Sequence, residues 1–156
     1  MNEHVRVCFH EAGHALAAHR FHRPIHSIAI DRAEGSGAVY CDEFQAVHRR
    51  RIAPAVWNER VFEEAVICLA GPLAEYAIFN QKLWDRWRLD MENANSWLRK
   101  SNLPFQQAAR EALRTTHKLV TAPAGERAIT RLAQQLLDHG PMDARDAARF
   151  FLRLKI

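Results

Sequence analysis

Val5-Arg6-Val7-Cys8-Phe9-His10-Glu11-Ala12-Gly13-His14-Ala15-Leu16-Ala17-Ala18-His19-Arg20-Phe21 is the stretch from which the fold is read. Its small and apolar residues recur three and four apart, so it is expected to form an amphipathic helix, stopped before Pro24. Immediately beyond, Ile25-His26-Ser27-Ile28-Ala29-Ile30 alternates, as a strand does. Glu34-Gly35-Ser36-Gly37 signals a turn, and Ala38-Val39-Tyr40-Cys41 a second short strand. Ala55 to Phe79 follows helical periodicity, with Gly71-Pro72 expected to kink or split it. A Trp- and Arg-rich loop should then lead to a helix from about Asp90 to Lys100. Pro104 and Pro123 open two further helices, and Gly140-Pro141 ends the second. Asp143, with Asp146 three residues on, reads as the N-cap of a last helix that turns Ala147, Phe151 and Leu154 inward. The fold class is therefore mainly α (α+β), helical with one small β-sheet or hairpin.

The chain has 156 residues, nearly half of them apolar, which suits one domain with a core that needs no disulfide staples. Cys8, Cys41 and Cys68 are odd in number and far apart, which describes neither a disulfide framework nor a CxxC zinc knuckle. Reduced thiols and a cytoplasmic location fit that pattern. The formal charge is +4 with the nine His neutral, and the basic excess gathers at His48-Arg49-Arg50-Arg51 and, more loosely, from Lys82 to Arg88. Without an accompanying nucleic-acid motif these clusters read as solvated surface, and no nucleic-acid partner is expected. The longest apolar run, Ala65 to Ala74, is broken by Gly71-Pro72 and too short to span a bilayer.

His10-Glu11-Ala12-Gly13-His14 is H-E-x-x-H on the first helix. Residues four apart share a face, so both imidazoles can reach one Zn2+ ion. Glu11 is rotated by about 100° and stands beside the ion, where it can take a proton from the attacking water as general base. Zinc needs a third protein ligand and an open position. Ala17 and Arg20 occupy the positions where the metzincin pattern asks for Gly and His, and His19 lies on another face. By spacing alone Glu34 falls in a turn, while Glu59, Glu63, Glu64 and Glu75 stay open as candidates.

Phe9-His10-Glu11-Ala12-Gly13-His14-Ala15-Leu16 resembles the signature of FtsH-type zinc metallopeptidases. Pro24 to Ile30 resembles that family's strand after the zinc helix, Ala70-Gly71-Pro72-Leu73-Ala74-Glu75 its G-G-x-x-A-E segment, and Asp90-Met91-Glu92-Asn93-Ala94 its D-L-x-x-A-T segment. The blocks fall in the family's order over roughly the first hundred residues. The resemblance implies one peptidase domain over 1–156, with the zinc site and sheet in 1–103 and C-terminal helices in 104–156. It implies Asp90 as third ligand, where the residues alone read equally as a helix N-cap, and Glu75 as an acceptor behind a ligand histidine or an ordinary surface carboxylate. Trp84-Asp85-Arg86-Trp87-Arg88-Leu89 departs from the family's small polar residues, which leaves Asp85 as a reserve ligand.

The activity so implied is that of a zinc-dependent metalloendopeptidase. FtsH proteins couple their peptidase to an AAA ATPase, whereas this sequence has no G-x-x-x-x-G-K-S/T phosphate loop, so ATP-independent hydrolysis of unfolded or extended polypeptide is expected. Val39 and Tyr40, on the second strand, would pair with such a chain if the strand is an edge. The alternative is a zinc-holding interaction module without catalysis. FtsH-type domains form rings of six, and here a monomer or a small homo-oligomer fits equally.

Overall fold

The structure, a computed structural model, describes residues 2–44 and 52–154. In chain order the elements are α1 (Glu3–Arg20), β1 (Ile25–Asp31), β2 (Ser36–Cys41), α2 (Pro54–Phe79), α3 (Trp84–Leu98), α4 (Phe105–Thr121), α5 (Pro123–His139), β3 (Met142–Asp143) and α6 (Ala144–Leu154). The protein is thus mainly helical with a small antiparallel sheet, ordered β2-β1-β3.

The centre is α1. Asn2 caps it by accepting the His4 amide, Glu3 lies in its first turn, and His19 and Arg20 favour its last. Its alanines Ala12, Ala15, Ala17 and Ala18 are fully buried, so α1 is packed on more than one side. One side shares a core with β1, α5 and α6 through Leu16, Ile28, Ile129, Leu132, Leu136 and Phe151. The other meets α2 at Gly13, where a Cβ would lie 2.6 Å from that of Ala74. Glycine therefore sets the approach of the two helices, and a larger residue would push them apart. Ala65, Val66 and Leu69 of α2 bury Leu98 of α3 with Ala108 and Ala112 of α4 in a second core.

Four expectations are corrected. Pro72 does not split α2, which runs unbroken from Pro54 to Phe79. Pro72 withholds one amide from the ladder, a loss that the packed turns on either side absorb. The stretch expected as a Trp- and Arg-rich loop forms the first turns of α3, because Trp87 is buried and anchors them, although Leu83 supplies no side-chain cap. Asp90 consequently stands inside α3 and is no N-cap. A third strand, β3, pairs Met142 with Ile28 and Asp143 with Ser27. Asp143 nevertheless caps the last helix as expected, accepting the Asp146 amide at 2.8 Å.

β2 pairs only with β1, in register from Asp31↔Ser36 to Ile25↔Cys41 with one irregularity, so its outer edge is free among the described residues. The Arg49 to Arg51 cluster lies outside the described residues. No helix among the described residues is long and apolar enough to cross a membrane.

Candidate metal centre

His10 and His14 sit one turn apart on α1 and face Asp90, one side-chain layer in from the surface of α3. His10 Nε2 donates to Asp90 Oδ2 at 3.0 Å, and His14 Nε2 lies 3.6 Å from Asp90 Oδ1. The three ligand-type atoms all lie within 4.8 Å of one another. One ion with bonds of about 2.0–2.2 Å spans such a set with small side-chain adjustments.

Both rings are held from behind. His10 donates through Nδ1 to Glu75 Oε2 at 3.3 Å, and His14 through Nδ1 to the Ile67 carbonyl at 2.7 Å. Each bond holds the Nδ1 proton and turns Nε2 toward Asp90. Gly71 gives the His14 ring its place, for a Cβ there would lie 2.7 Å from both Cδ2 and Cε1. The Gly71-Pro72 pair, which reads in sequence as a helix breaker, therefore serves the histidine instead.

Glu75 is wholly buried, which rules out the surface-carboxylate reading. Besides His10 it accepts Arg6 Nη1 at 3.1 Å and Trp87 Nε1 at 2.9 Å, while Arg6 Nη2 also donates to Gln81. Burial alone would raise its carboxyl, but the bonds from His10, Trp87 and Arg6 hold it at about 2, below the ordinary 4.5. Arg6 and Trp87 are site residues that the sequence reading missed. Arg6 precedes His10 by one turn on the same face, a spacing that could have pointed to it, whereas nothing local marks Trp87.

The electrostatics describe a place for a cation. Burial works against charge on His10, yet Asp90 and Glu75 on its two nitrogens raise it to about 9. His14, buried and beside that charge, falls to about 4 and stays neutral. With its Nδ1 proton given to Ile67, His14 presents a lone pair from Nε2 to the Asp90 carboxylate, two acceptors with no donor between them. A cation between them satisfies both. Two imidazoles and one carboxylate are also a donor set that suits zinc, so the residues fit the ion that the sequence implies.

Glu11 lies beside the ligands and is not one of them. It is 5 % exposed and packed under β2, with a Cβ at Gly37 placed 2.6 Å from its Cγ. Burial raises its carboxyl to about 7 against the opposing pull of His10. That is the range in which a carboxylate both takes and returns protons near neutrality.

These groups line a cleft of about 720 Å³ between β2 and α3, floored by α1 and α2. Val39 lines it, whereas the Tyr40 side chain is 58 % exposed, because neighbours along a strand point to opposite faces. The other carboxylates considered are engaged otherwise, although Glu64 also lines this cleft. Asp85 is exposed on the first turn of α3, and Glu63 and Glu64 pair with Arg23. His19 stacks on Phe151, with ring centroids 4.2 Å apart. No protein-family model matches the chain, and no curated protein matches it.

Proposed function

We propose that this chain is a zinc-dependent endopeptidase resembling the FtsH type, holding Zn2+ through His10, His14 and Asp90. The observation that carries this reading is Glu11: a buried carboxylate beside three converging ligand-type atoms and inside an open cleft. A purely structural metal site has no use for such a base. Held by these residues, Zn2+ would be the Lewis acid that activates water for attack. Glu11 takes the proton of the attacking water and delivers it to the departing amine, and Gly37 lets it sit close enough to do so. Glu75 and the Ile67 carbonyl orient the histidines. The free edge of β2 offers amides and carbonyls to an extended polypeptide, which thereby lies along the cleft.

The test uses the chain alone. It should hold about one zinc per molecule and cleave an unfolded substrate such as casein. Glu11→Gln should keep the metal and lose cleavage, so full activity in that variant would refute the mechanism. A wild-type protein that holds zinc but cleaves nothing would point to an interaction module.

A further inference from the structure

The cleft is not equally open along its length. At the Gly35 end, Glu3 from the first turn of α1 and Arg86 from the first turns of α3 are joined by an ion pair. Glu3 also lies against the β1–β2 turn, where a Cβ on Gly35 would come within 2.9 Å of its Cγ. Floor, edge strand and far wall thus converge on one pair of side chains. At the other end the lining residues Glu43, Trp97 and Lys100 are not joined across the cleft by any ion pair among the described residues.

Arg86 precedes Asp90 by four residues on α3, and both line the cleft. That spacing is one helical turn, about 6 Å. An extended peptide covers about 3.4 Å per residue, so the α3 backbone that carries Arg86 stands one to two peptide residues along the cleft from the backbone that carries Asp90. A chain laid antiparallel to β2, the more stable pairing, runs from the Cys41 end toward the Ser36 end, and its carboxyl-terminal side reaches Arg86. Arg86 has five N–H donors in a fork that matches a carboxylate, and the structure engages Nη1 with Glu3. Glu3 is largely exposed while Arg86 is mostly covered, so Glu3 is the member of the pair that an incoming carboxylate can replace on the guanidinium.

We infer that Arg86 is the receiving group for a substrate carboxylate, that of a chain terminus one or two residues beyond the bond at the metal centre. This rests on the peptidase reading and adds cleavage close to a carboxyl terminus to the endopeptidase activity proposed above. Glu3 holds the guanidinium in place until the terminus arrives.

Binding separates this inference from turnover. Fluorescence anisotropy of N-terminally labelled alanine-leucine pentapeptides is measured on the zinc-loaded Glu11→Gln protein, with the carboxyl terminus free, amidated, or amidated after a final glutamate. The free acid should bind about tenfold more tightly than the plain amide. Arg86→Ala should bring the acid to the amide level, Arg86→Lys should keep part of the preference, and Glu3→Gln should tighten the acid alone. Equal binding of acid and amide, no binding of any peptide, or a preference that survives Arg86→Ala would overturn the inference. A glutamate-ended amide that binds as well as the free acid would overturn the chain-end assignment. If the acid preference is present and depends on Arg86 while the wild-type protein cleaves nothing, the peptidase reading fails and this binding site stands.

Discussion

Replacing Gly71 by alanine separates the metal centre from the fold. The added Cβ would lie 2.7 Å from His14 Cδ2 and Cε1, closer than such atoms approach, so either α2 or the His14 ring must move. α2 is pinned there by Ala70 and Ala74, both fully buried, and by its close approach to Gly13. The ring is the softer part, and moving it breaks the 2.7 Å bond to the Ile67 carbonyl and takes Nε2 away from Asp90. Two opposing terms act on stability: alanine favours a helix over glycine by about 1 kcal/mol, and overpacking costs about 1–3 kcal/mol. The metal-free protein should therefore melt within about 8 °C of the wild type, taking about 2–4 °C per kcal/mol at this size. Zinc affinity should fall by at least about 10–100-fold, the loss associated with removing a bond that orients a ligand. Competition with a chromophoric chelator measures the affinity, and thermal melting followed by circular dichroism measures the fold. A folded Gly71→Ala protein that binds zinc as tightly as the wild type would refute the reasoning. So would a collapse in stability, which would show that α2 yields before the ring does.

Gly37→Ala should have the complementary effect, since its Cβ would meet Glu11 Cγ at 2.6 Å and leaves the ligands alone. Casein cleavage should fall by roughly 10²–10⁴-fold, the usual contribution of a general base, with zinc content unchanged; loss of metal would contradict this division of roles. Glu75→Gln leaves the buried Arg6 without its counter-ion, which should cost about 3–5 kcal/mol and lower the melting temperature by roughly 10 °C. The pH dependence has a definite sign. The folded carboxyl is held at about 2 against an ordinary 4.5, so its stabilisation is present above 4.5 and lost as pH falls from there toward 2. Urea titrations across that window should show the loss in the wild type and a smaller one in Glu75→Gln; parallel curves would remove Glu75 as its source.

The placement of His10, Glu11 and His14 together on one helix was legible because it depends on spacing within one element. Four residues make one turn, so His10 and His14 share a face whatever else packs around them. The amphipathic α5 and the Asp143 cap of α6 were legible for the same reason. Long-range packing was not. Asp90 alone reads as a cap, and only the burial of Trp87 extends α3 backwards far enough to place it opposite the histidines. β3 is two residues long and exists because β1 offers it an edge, which carries no local signal. Which of Val39 and Tyr40 turns its side chain to the cleft was not legible, because strand alternation leaves a choice of face that only the sheet's packing settles.

The glycines show why such a site resists local reading. In α1, Gly13 weakens the helix by roughly 1 kcal/mol relative to alanine, and it returns that only through contact with Ala70 and Ala74. That contact sets the separation of α1 and α2, hence the distance from His14 to the Ile67 carbonyl and the space that Gly71 must leave open. Gly37 does the same for Glu11 on the opposite side of α1. α1 is thus squeezed between α2 and β2 by missing side chains, and its ligands and its base emerge on adjacent flanks. A helix held this way cannot rotate to adapt its histidines to an ion. The ion's geometry would instead be met by Asp90, which is partly exposed on a helix anchored through Trp87, Ala94 and Leu98. Variation in α3, and in Trp87 above all, should therefore tune metal affinity more finely than variation in α1, where the tolerances leave room only for loss.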